Sequence, residues 1–255
     1  MHGFIRYFIL FALLATLSSC SSRISVTPDT RDALTAYNDM LTLLKECSAK
    51  PETCDKEKIW NNLDSTTKSQ FVHAYASLKS IDTIITTYFD PIEHKEMRLR
   101  TGSDIFETEA FKTVEAETFD SNEAEANKKG LTLFAHVFHP EALSLNENSS
   151  KDAELILSGL EPIRDVTKDK NHIVFETHQN GQSFEMIRES DQVWRMAGFG
   201  VAVSVALSPI FQSEEAMRQY ASLFLQEELQ RRTRVRNYFL QQVAIQKLQA
   251  ESLMH

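Results

Sequence analysis

The hydrophobic period of this chain changes from that of helices to that of strands at residue 160, and this change constrains the fold more than any other sequence feature. Before it, apolar residues recur at spacings of three and four, as in Phe71, Tyr75 and Leu78, which is typical of one helix face. After it come four short β-rich runs separated by turn signals, at 160–166, 171–178, 182–189 and 193–196. The sequence therefore predicts an α+β fold, with helices first and a small antiparallel sheet after them.

A sharp turn signal lies between the second and third of these runs, at Asn180-Gly181. Asparagine followed by glycine accepts the positive φ angles of a type I′ turn, so we predict a tight hairpin within a four-stranded antiparallel meander. Alternation in the last two runs places large apolar residues on one face and Glu185 and Glu189 on the other. The candidates to line a pocket on the apolar face are Phe175, Phe184, Met186 and Trp194.

Three helices are predicted before residue 92. The first starts at Thr30, capped by Thr30 or Asp29, and the second surrounds residues 59–63. Asp64 can cap a third helix that ends before Pro91, because proline is disfavoured in a helix interior. Only 7 of the 255 residues are glycine, which favours a helix-rich chain, since all-β folds use glycine in their many turns.

The segment 92–129 is charged and only weakly periodic, and it is predicted to form a loop or a partly helical excursion over the surface. A short apolar helix over 131–143 is predicted to follow it. Beyond the sheet, the apolar run 201–211 is too short to span a bilayer, since a spanning helix needs about 20 residues. This run is predicted to complete the sheet or to pack beneath it.

Residues 213–255 form a C-terminal extension, with a helix predicted from about Glu214 to Ser252. A helix of about 40 residues is about 60 Å long, so part of it should project from the domain or fold back at the polar segment 226–236. Its distal apolar residues form a candidate partner surface: Tyr238, Phe239, Val243 and Leu248. In the alternative, residues 217–224 dock on the helical layer and the remainder of the helix frays.

The N-terminal leader has one basic residue, Arg6, followed by an apolar stretch over 7–15 that is too short to cross a membrane. The leader ends in Leu-Ser-Ser-Cys at 17–20. This arrangement resembles the lipobox signal peptide of bacterial lipoprotein precursors. The alternative is an ordinary secretory signal that happens to contain a cysteine.

The resemblance to lipoproteins implies a place for the protein in the cell. Residues 1–19 would be removed as the signal peptide, Cys20 would carry the lipid anchor, and 20–29 would form a tether to the membrane. Ser21, next to the cysteine, resembles the residue found in lipoproteins that are passed to the outer membrane. We therefore expect a membrane-anchored protein, facing the periplasm from the outer membrane.

Export bears on the two other cysteines, Cys47 and Cys54, which flank six residues that include Pro51. A turn at the proline lets the two side chains meet, and an oxidising compartment favours a disulfide over free thiols. A metal pair is the other alternative, but no histidine or cysteine nearby completes a zinc ligand set. The sequence therefore predicts a disulfide that staples a helical hairpin.

Charge and motifs exclude several functions. The formal net charge is −9 at pH 7, and an acidic surface repels phosphate, so nucleic acid is not an expected partner. No phosphate-binding loop, nucleophile elbow or His-Glu-x-x-His helix occurs, so no cofactor is predicted. Two histidine pairs invite a metal site, His136 with His139 and His172 with His178, but the first lacks an acidic or cysteine ligand at suitable spacing. No metal is therefore predicted.

Three features together resemble the NTF2-like superfamily, in which N-terminal helices close one side of a curved antiparallel sheet to form a cone. They are the early helices with Trp60-Asn-Asn-Leu-Asp64, the meander with its Asn-Gly turn, and the terminal pattern over 184–196, which ends in Val-Trp194-Arg195-Met196. The resemblance implies an NTF2-like domain over 30–211. The insertion at 92–129 and the long helix after the sheet depart from the family pattern.

NTF2-like domains host isomerases, dehydratases and binding modules, so the resemblance implies no single activity. Catalysis in the cone would need a carboxylate base and a neutral acid inside it, for which Asp165, Glu176 and His178 are the strand candidates. Charged residues commonly alternate along a half-solvated sheet, so no catalytic residue is predicted. We expect a non-catalytic module that binds an envelope protein or a small apolar ligand. The alternatives are a small hydrolase or isomerase that uses the cone, and a structural subunit of an envelope assembly.

Overall fold

Helices form most of the described chain, and the strands of one small sheet lie between the last helix and the others along the sequence. The computed structural model describes residues 27–138, 162–177, 183–197 and 199–252. The helices are α1 (Pro28–Ala49), α2 (Lys56–Asn61), α3 (Ser65–Tyr88), α4 (His94–Thr101), α5 (Glu109–Ala116), α6 (Asn122–Val137) and α7 (Phe199–Ser252). The strands are β1 (Pro162–Asp169), β2 (His172–Thr177), β3 (Ser183–Arg188) and β4 (Trp194–Ala197), and 3₁₀ turns cover Pro51–Thr53 and Ser103–Glu107. The predicted combination of helices, a small antiparallel sheet and a long C-terminal helix is therefore confirmed.

Helix α1 begins two residues before the predicted start at Thr30. The Thr27 hydroxyl accepts a hydrogen bond from the Thr30 amide at 3.2 Å, and Pro28 occupies the first turn, where its fixed φ suits a helix. Asp64 caps α3 as predicted, since its carboxylate accepts from the Thr67 amide at 3.4 Å. The predicted signal peptide, Cys20 and the tether up to residue 26 lie outside the described residues.

The indole of Trp60 is fully buried at the centre of the helical layer. Phe71 of α3 and Phe134 of α6 pack against it, with ring centroids 5.9 and 5.6 Å away. Helix α6 comes this close because Gly130 has no side chain: a Cβ there would lie 2.8 Å from Val72 Cγ2 and 2.9 Å from Trp60 Cη2. The approach of α6 to α3 therefore depends on this glycine.

The segment 92–129 is largely helical, in line with the partly helical alternative of the prediction and not with the loop, but part of it is buried, which corrects the expectation that it only crosses the surface. It contains α4, α5 and the first half of α6. Phe111 is 1% exposed and stacks on Tyr75 of α3 with ring centroids 5.7 Å apart. Helices α4 and α5 have eight residues each, so neither produces a long periodic pattern. The helix predicted to begin at Leu131 begins instead at Asn122.

The four strands follow one another across the sheet in chain order, each antiparallel to its neighbour, as predicted. The Asn180-Gly181 turn lies outside the described residues. The loop between α2 and α3 covers the edge of β4, where the Met196 amide donates to the Asn62 carbonyl at 2.9 Å and the Asp64 amide donates to the Met196 carbonyl at 3.1 Å. This pairing joins the helical layer to the sheet and protects the strand edge from another chain.

One face of the sheet packs against α1. Tyr37 of α1 is 1% exposed, and its ring lies 5.4 Å from Phe175 and 5.7 Å from Phe184. On the opposite face, Glu185 is only half-buried, and Glu189 beyond the end of β3 pairs with Arg195 at 2.7 Å. The predicted placement of Phe184, Met186 and Trp194 on one face and of Glu185 on the other is confirmed, although the outer face also carries the buried apolar residues Val174 and Ala197.

Helix α7 begins at Phe199, so the apolar run 201–211 belongs to this helix. Of the two predicted alternatives, the one in which this run completes the sheet is therefore wrong. Pro209 lies inside the helix and has no amide hydrogen to offer the Val205 carbonyl. The Ser208 hydroxyl donates to that carbonyl at 2.9 Å instead. The helix therefore continues through the proline and does not start at Glu214, where the sequence pattern placed its beginning.

Cys47 and Cys54 form a disulfide bond, as predicted, with their Cα atoms 4.4 Å apart. Cys47 lies near the end of α1, where it is 2% exposed, and Cys54 follows the 3₁₀ turn before α2. The bond therefore closes the connection between α1 and α2 and holds the two helix ends together.

Candidate functional site

The four candidate pocket residues lie on the buried face of the sheet. Phe175, Phe184, Met186 and Trp194 are each between 0 and 6% exposed. The Arg188 guanidinium lies over the Trp194 ring, with Cζ 5.0 Å from the ring centroid, and also donates to the Asp29 carboxylate at 2.7 Å. These side chains form part of the core between the sheet and α1.

The strand carboxylates Asp165 and Glu176 lie on opposite faces of the sheet. Asp165 is the cross-strand partner of Phe175, so the two residues share the buried face. Glu176 is the next residue after Phe175 in β2 and lies on the other face. This corrects the expectation that both could point inward, and the two carboxylates do not converge on one site. His178 is outside the described part of the chain.

The histidines considered as metal-ligand pairs from the sequence make contacts with other residues. His172 Nε2 lies 3.1 Å from the Glu185 carboxylate on the outer face of the sheet. His136 of α6 packs its ring edge-on against Phe111, with centroids 5.5 Å apart. His139 is not among the described residues. Within the described ranges, no three histidine, cysteine, aspartate or glutamate side chains are grouped so that they could hold a metal ion.

A cleft of 470 Å³ opens beside α3, α4 and α5, on the helical side of the molecule. Arg98 lies in this cleft between two carboxylates, Asp82 at 2.7 Å and Glu107 at 3.0 Å. The Lys79 ammonium lies 4.9 Å above the Phe106 ring. Sequence reasoning missed this cleft, because its residues come from separate helices and share no motif spacing.

Charged and hydroxyl side chains beside the cleft form a polar cluster around Glu115, which consists of Glu115, Tyr75, Lys79 and Lys129. Glu115 accepts a hydrogen bond from the Tyr75 hydroxyl at 2.8 Å and pairs with Lys79 at 2.6 Å and Lys129 at 3.6 Å. Burial opposes ionisation of Glu115, but the hydrogen bonds from Lys79 and Tyr75 outweigh it and hold the pKa of the carboxyl below its usual value. The pKa of Tyr75 is raised above its usual value, mainly by burial and secondly by the hydrogen bond that its hydroxyl donates to Glu115. Neither group changes its protonation near neutral pH, so the cluster is suited to holding helices together and not to acid–base catalysis.

The first half of α7 packs on the helical layer. Its buried residues include Ala206, Leu207, Ile210 and Met217. Tyr220 stacks on Phe89 with ring centroids 4.5 Å apart, and Phe224 meets Tyr88 at 5.7 Å. Beyond Phe224 the described side chains of α7 are exposed or half-exposed, and this part of the helix is about 40 Å long. The distal part of α7 therefore projects from the body.

The polar segment 226–236 continues the helix, so of the two predicted courses the chain takes the projecting one and does not fold back. Glu228 accepts from Arg231 at 2.7 Å and from Arg232 at 2.9 Å, at the i+3 and i+4 positions that support an isolated helix. The two arginines hold the pKa of Glu228 at about 2, well below its usual value. Local ion pairs therefore stabilise the helix where it has no tertiary support.

The projecting part carries large apolar side chains that are more than half exposed: Leu225, Leu229, Val235, Tyr238, Phe239, Leu240 and Val243. Three of the four predicted partner-surface residues are among them, and the side chain of the fourth, Leu248, is outside the described set. Sequence reasoning missed Leu225 and Leu229, because polar residues separate them from the rest along the chain. Their i+4 spacing was the available signal. Large exposed apolar side chains grouped on one element are typical of a docking site.

Comparison of the chain with protein-family models, with curated proteins and with solved structures finds no significant match. No helix in the described ranges is both long enough and apolar enough to cross a membrane. The distal part of α7 is therefore the candidate functional site, on the strength of its exposed apolar surface.

Proposed function

We propose that this protein is a lipid-anchored lipoprotein of the bacterial outer membrane, and that it acts as a non-catalytic module that docks an envelope protein through the distal part of α7. The observation that carries the proposal is the helix beyond Phe224, which exposes a run of large apolar side chains. The resemblance of residues 17–20 to a lipobox supports the anchor at Cys20 and the periplasm-facing location.

The body of the protein, over 30–211, is proposed to be an NTF2-like domain. Two motifs behind that resemblance contact each other: Met196 pairs with the backbone of the loop between α2 and α3, and Arg195 Nε donates to the Asn61 carbonyl at 3.3 Å. This contact supports the proposal, because helices that close a sheet are the defining feature of the superfamily. The charged helical insertion and α7 would be additions to it.

A protein partner is favoured over a small apolar ligand and over catalysis. Tyr37 packs on Phe175 and Phe184, where a ligand in a cone would lie. The two strand carboxylates, Asp165 and Glu176, diverge to opposite faces, so they do not form a catalytic pair. The exposed helix offers a surface of the kind that helical partners bind.

Truncation after Arg231 tests the docking role. This change keeps the α7 contacts with the body, including the stacking of Tyr220 on Phe89, so the domain is expected to stay folded and anchored. Cross-linking in cells is expected to show loss of a protein adduct. The full-length variant Phe239→Ser/Val243→Ser is a second test, because it alters the apolar surface without shortening the chain, and it is expected to lose the same adduct. Identical adducts in all three proteins would refute the docking role, and a collapse of thermal stability on truncation would make the distal helix part of the core.

Replacement of Cys20 by alanine tests the anchor separately. The variant is expected to incorporate no labelled palmitate and to accumulate as an uncleaved precursor or a soluble form, because the acylated thiol is missing. The Cys47→Ser/Cys54→Ser variant serves as the control for cysteine loss elsewhere. Continued lipidation of the Cys20→Ala protein would refute the anchor, and membrane fractionation tests the outer-membrane location.

A further inference from the structure

Six residues of the distal part of α7 follow one line along the helix, at alternating spacings of four and three: Leu225, Leu229, Arg232, Arg236, Phe239 and Val243. At 3.6 residues per turn they lie within about 40° of the line from Leu225 to Val243, which are about 27 Å apart. We call this set the seam. Its spacing is that of the contact line between helices that pair side by side.

The seam is apolar at both ends and basic at its centre. Its four apolar side chains are between 52 and 67% exposed. The Arg232 side chain is 75% exposed, with its Nε 2.9 Å from Glu228. Among the described residues, Arg236 has no carboxylate within ion-pair distance. A complementary partner therefore needs apolar side chains at two ends and negative charge between them.

A second copy of this chain does not fit the seam. Paired in parallel, each arginine faces its own counterpart, and paired antiparallel with the ends matched, Arg232 faces Arg236. Registers shifted along the seam bring an arginine against an apolar residue or against another arginine. Like charges and unpaired buried charges both disfavour association. The seam therefore selects against self-pairing.

An anionic lipid surface fits the seam poorly as well. A helix that lies on a membrane buries an uninterrupted apolar face and keeps its basic residues on the polar side. Here Arg232 and Arg236 interrupt the apolar line itself, whereas Arg234 lies on the opposite side of the helix. Binding to lipid would bury the two central charges together with the apolar residues.

We propose that the seam docks an acidic amphipathic helix of another protein, whose apolar stripe is interrupted at its centre by two carboxylates that face Arg232 and Arg236. This inference rests on the proposed docking role of α7 and names the chemistry of its partner. The apolar ends contribute burial, and the two charge pairs set the register and exclude helices without matching carboxylates.

A charge-reversed copy of this chain provides the probe. The Arg232→Glu/Arg236→Glu variant keeps the four apolar seam residues and places carboxylates between them. In analytical ultracentrifugation at equal total concentration, the wild-type protein and the variant are each expected to stay monomeric, whereas their mixture associates at least about tenfold more tightly. The Arg232→Leu/Arg236→Leu variant is expected to associate with itself, because its seam is apolar throughout.

The matched control is Arg231→Glu/Arg234→Glu, which makes the same change in charge away from the seam and is expected not to associate with the wild-type protein. Self-association of the wild-type protein as tight as that of the mixture, or a mixture that stays monomeric, would overturn the proposal. The proposal would also be overturned if the wild-type protein bound phosphatidylglycerol vesicles and if both double glutamate variants weakened that binding equally.

Cross-linking in cells separates this inference from the proposed function. The docking role and the acidic-helix inference both stand if two changes remove the protein adduct, truncation after Arg231 and Arg232→Glu/Arg236→Glu. The control Arg231→Glu/Arg234→Glu must keep the adduct. If truncation removes the adduct but the seam reversal leaves it intact, α7 still docks a partner and the acidic helix is wrong. If truncation changes nothing, both are wrong.

Discussion

Replacing Gly130 with alanine tests how closely α6 packs on α3. The added Cβ would lie 2.8 Å from Val72 Cγ2, 2.9 Å from Trp60 Cη2 and 3.2 Å from Trp60 Cζ2. Carbon atoms in contact lie about 3.5–4.0 Å apart, so the closest pair has to separate by about 0.7 Å. Neither neighbour yields easily, because Trp60 is fully buried and Val72 is β-branched, which restricts its rotamer in a helix.

Two opposing contributions set the size of the effect. Alanine is favoured over glycine in a helix by about 1 kcal/mol, whereas overpacking a core costs about 1–3 kcal/mol. Because two contacts fall below 3.0 Å against stiff groups, we expect the upper part of that range. The free energy of unfolding should fall by about 1–2 kcal/mol, which lowers the Tm of a protein of this size by about 2–8 °C.

Urea unfolding, followed by far-UV circular dichroism and by tryptophan fluorescence, measures this loss. Val72→Ala provides the matched background, because it removes the Cγ2 atom of the closest contact. Gly130→Ala should cost at least about 1 kcal/mol less in that background. The reasoning is refuted if Gly130→Ala stabilises the wild-type protein, as it would at an exposed helix position, or if its cost is the same in both backgrounds.

The remaining predictions concern the disulfide, the sheet and the polar cluster. The Cys47→Ser/Cys54→Ser variant loses a loop closure worth about 2.5 kcal/mol, so calorimetry should show a Tm several degrees lower; two free thiols in the intact mass of the protein isolated from its native cells would contradict the bond. Trp194→Ala should lower the free energy of unfolding by about 3–5 kcal/mol in urea, because Trp194 is 5% exposed; a loss below about 1 kcal/mol would place it outside the core. Glu115→Gln should lower stability at neutral pH, because the pKa of Glu115 is depressed in the folded protein and its ionised form stabilises the fold above the usual value of 4.5. That difference from the wild-type protein should disappear as the pH falls through the folded pKa, and a difference independent of pH would argue against it.

Signals that act over a few residues explain the parts of the fold that the sequence predicts correctly. The cap at Asp64 depends on an amide three residues away. The strand runs depend on alternation and on the turns between them. The bond between Cys47 and Cys54 depends on a short turn at Pro51. None of these features requires knowledge of what packs against the segment.

Contacts between distant segments explain the parts that were missed. Helix α5 is too short for a periodic pattern and is held by Phe111 against Tyr75, a residue of α3. The start of α7 at Phe199 was hidden by Pro209, since the compensating hydrogen bond from Ser208 to Val205 is visible only in the structure. The need for glycine at residue 130 arises from Trp60 and Val72, which belong to other elements.

Apolar spacing along the chain is sufficient to predict an apolar stripe on α3 and another on the distal part of α7, because helix periodicity is a local property. Only the tertiary structure decides which stripe is covered. The stripe of α3 is buried by neighbouring helices, whereas the stripe beyond Phe224 projects past the body and stays exposed. Likewise, alternation separates neighbouring strand residues, but the register between β1 and β2 is what places Asp165 and Glu176 on opposite faces. Burial depends on the partner across the contact, and that partner comes from a distant part of the chain.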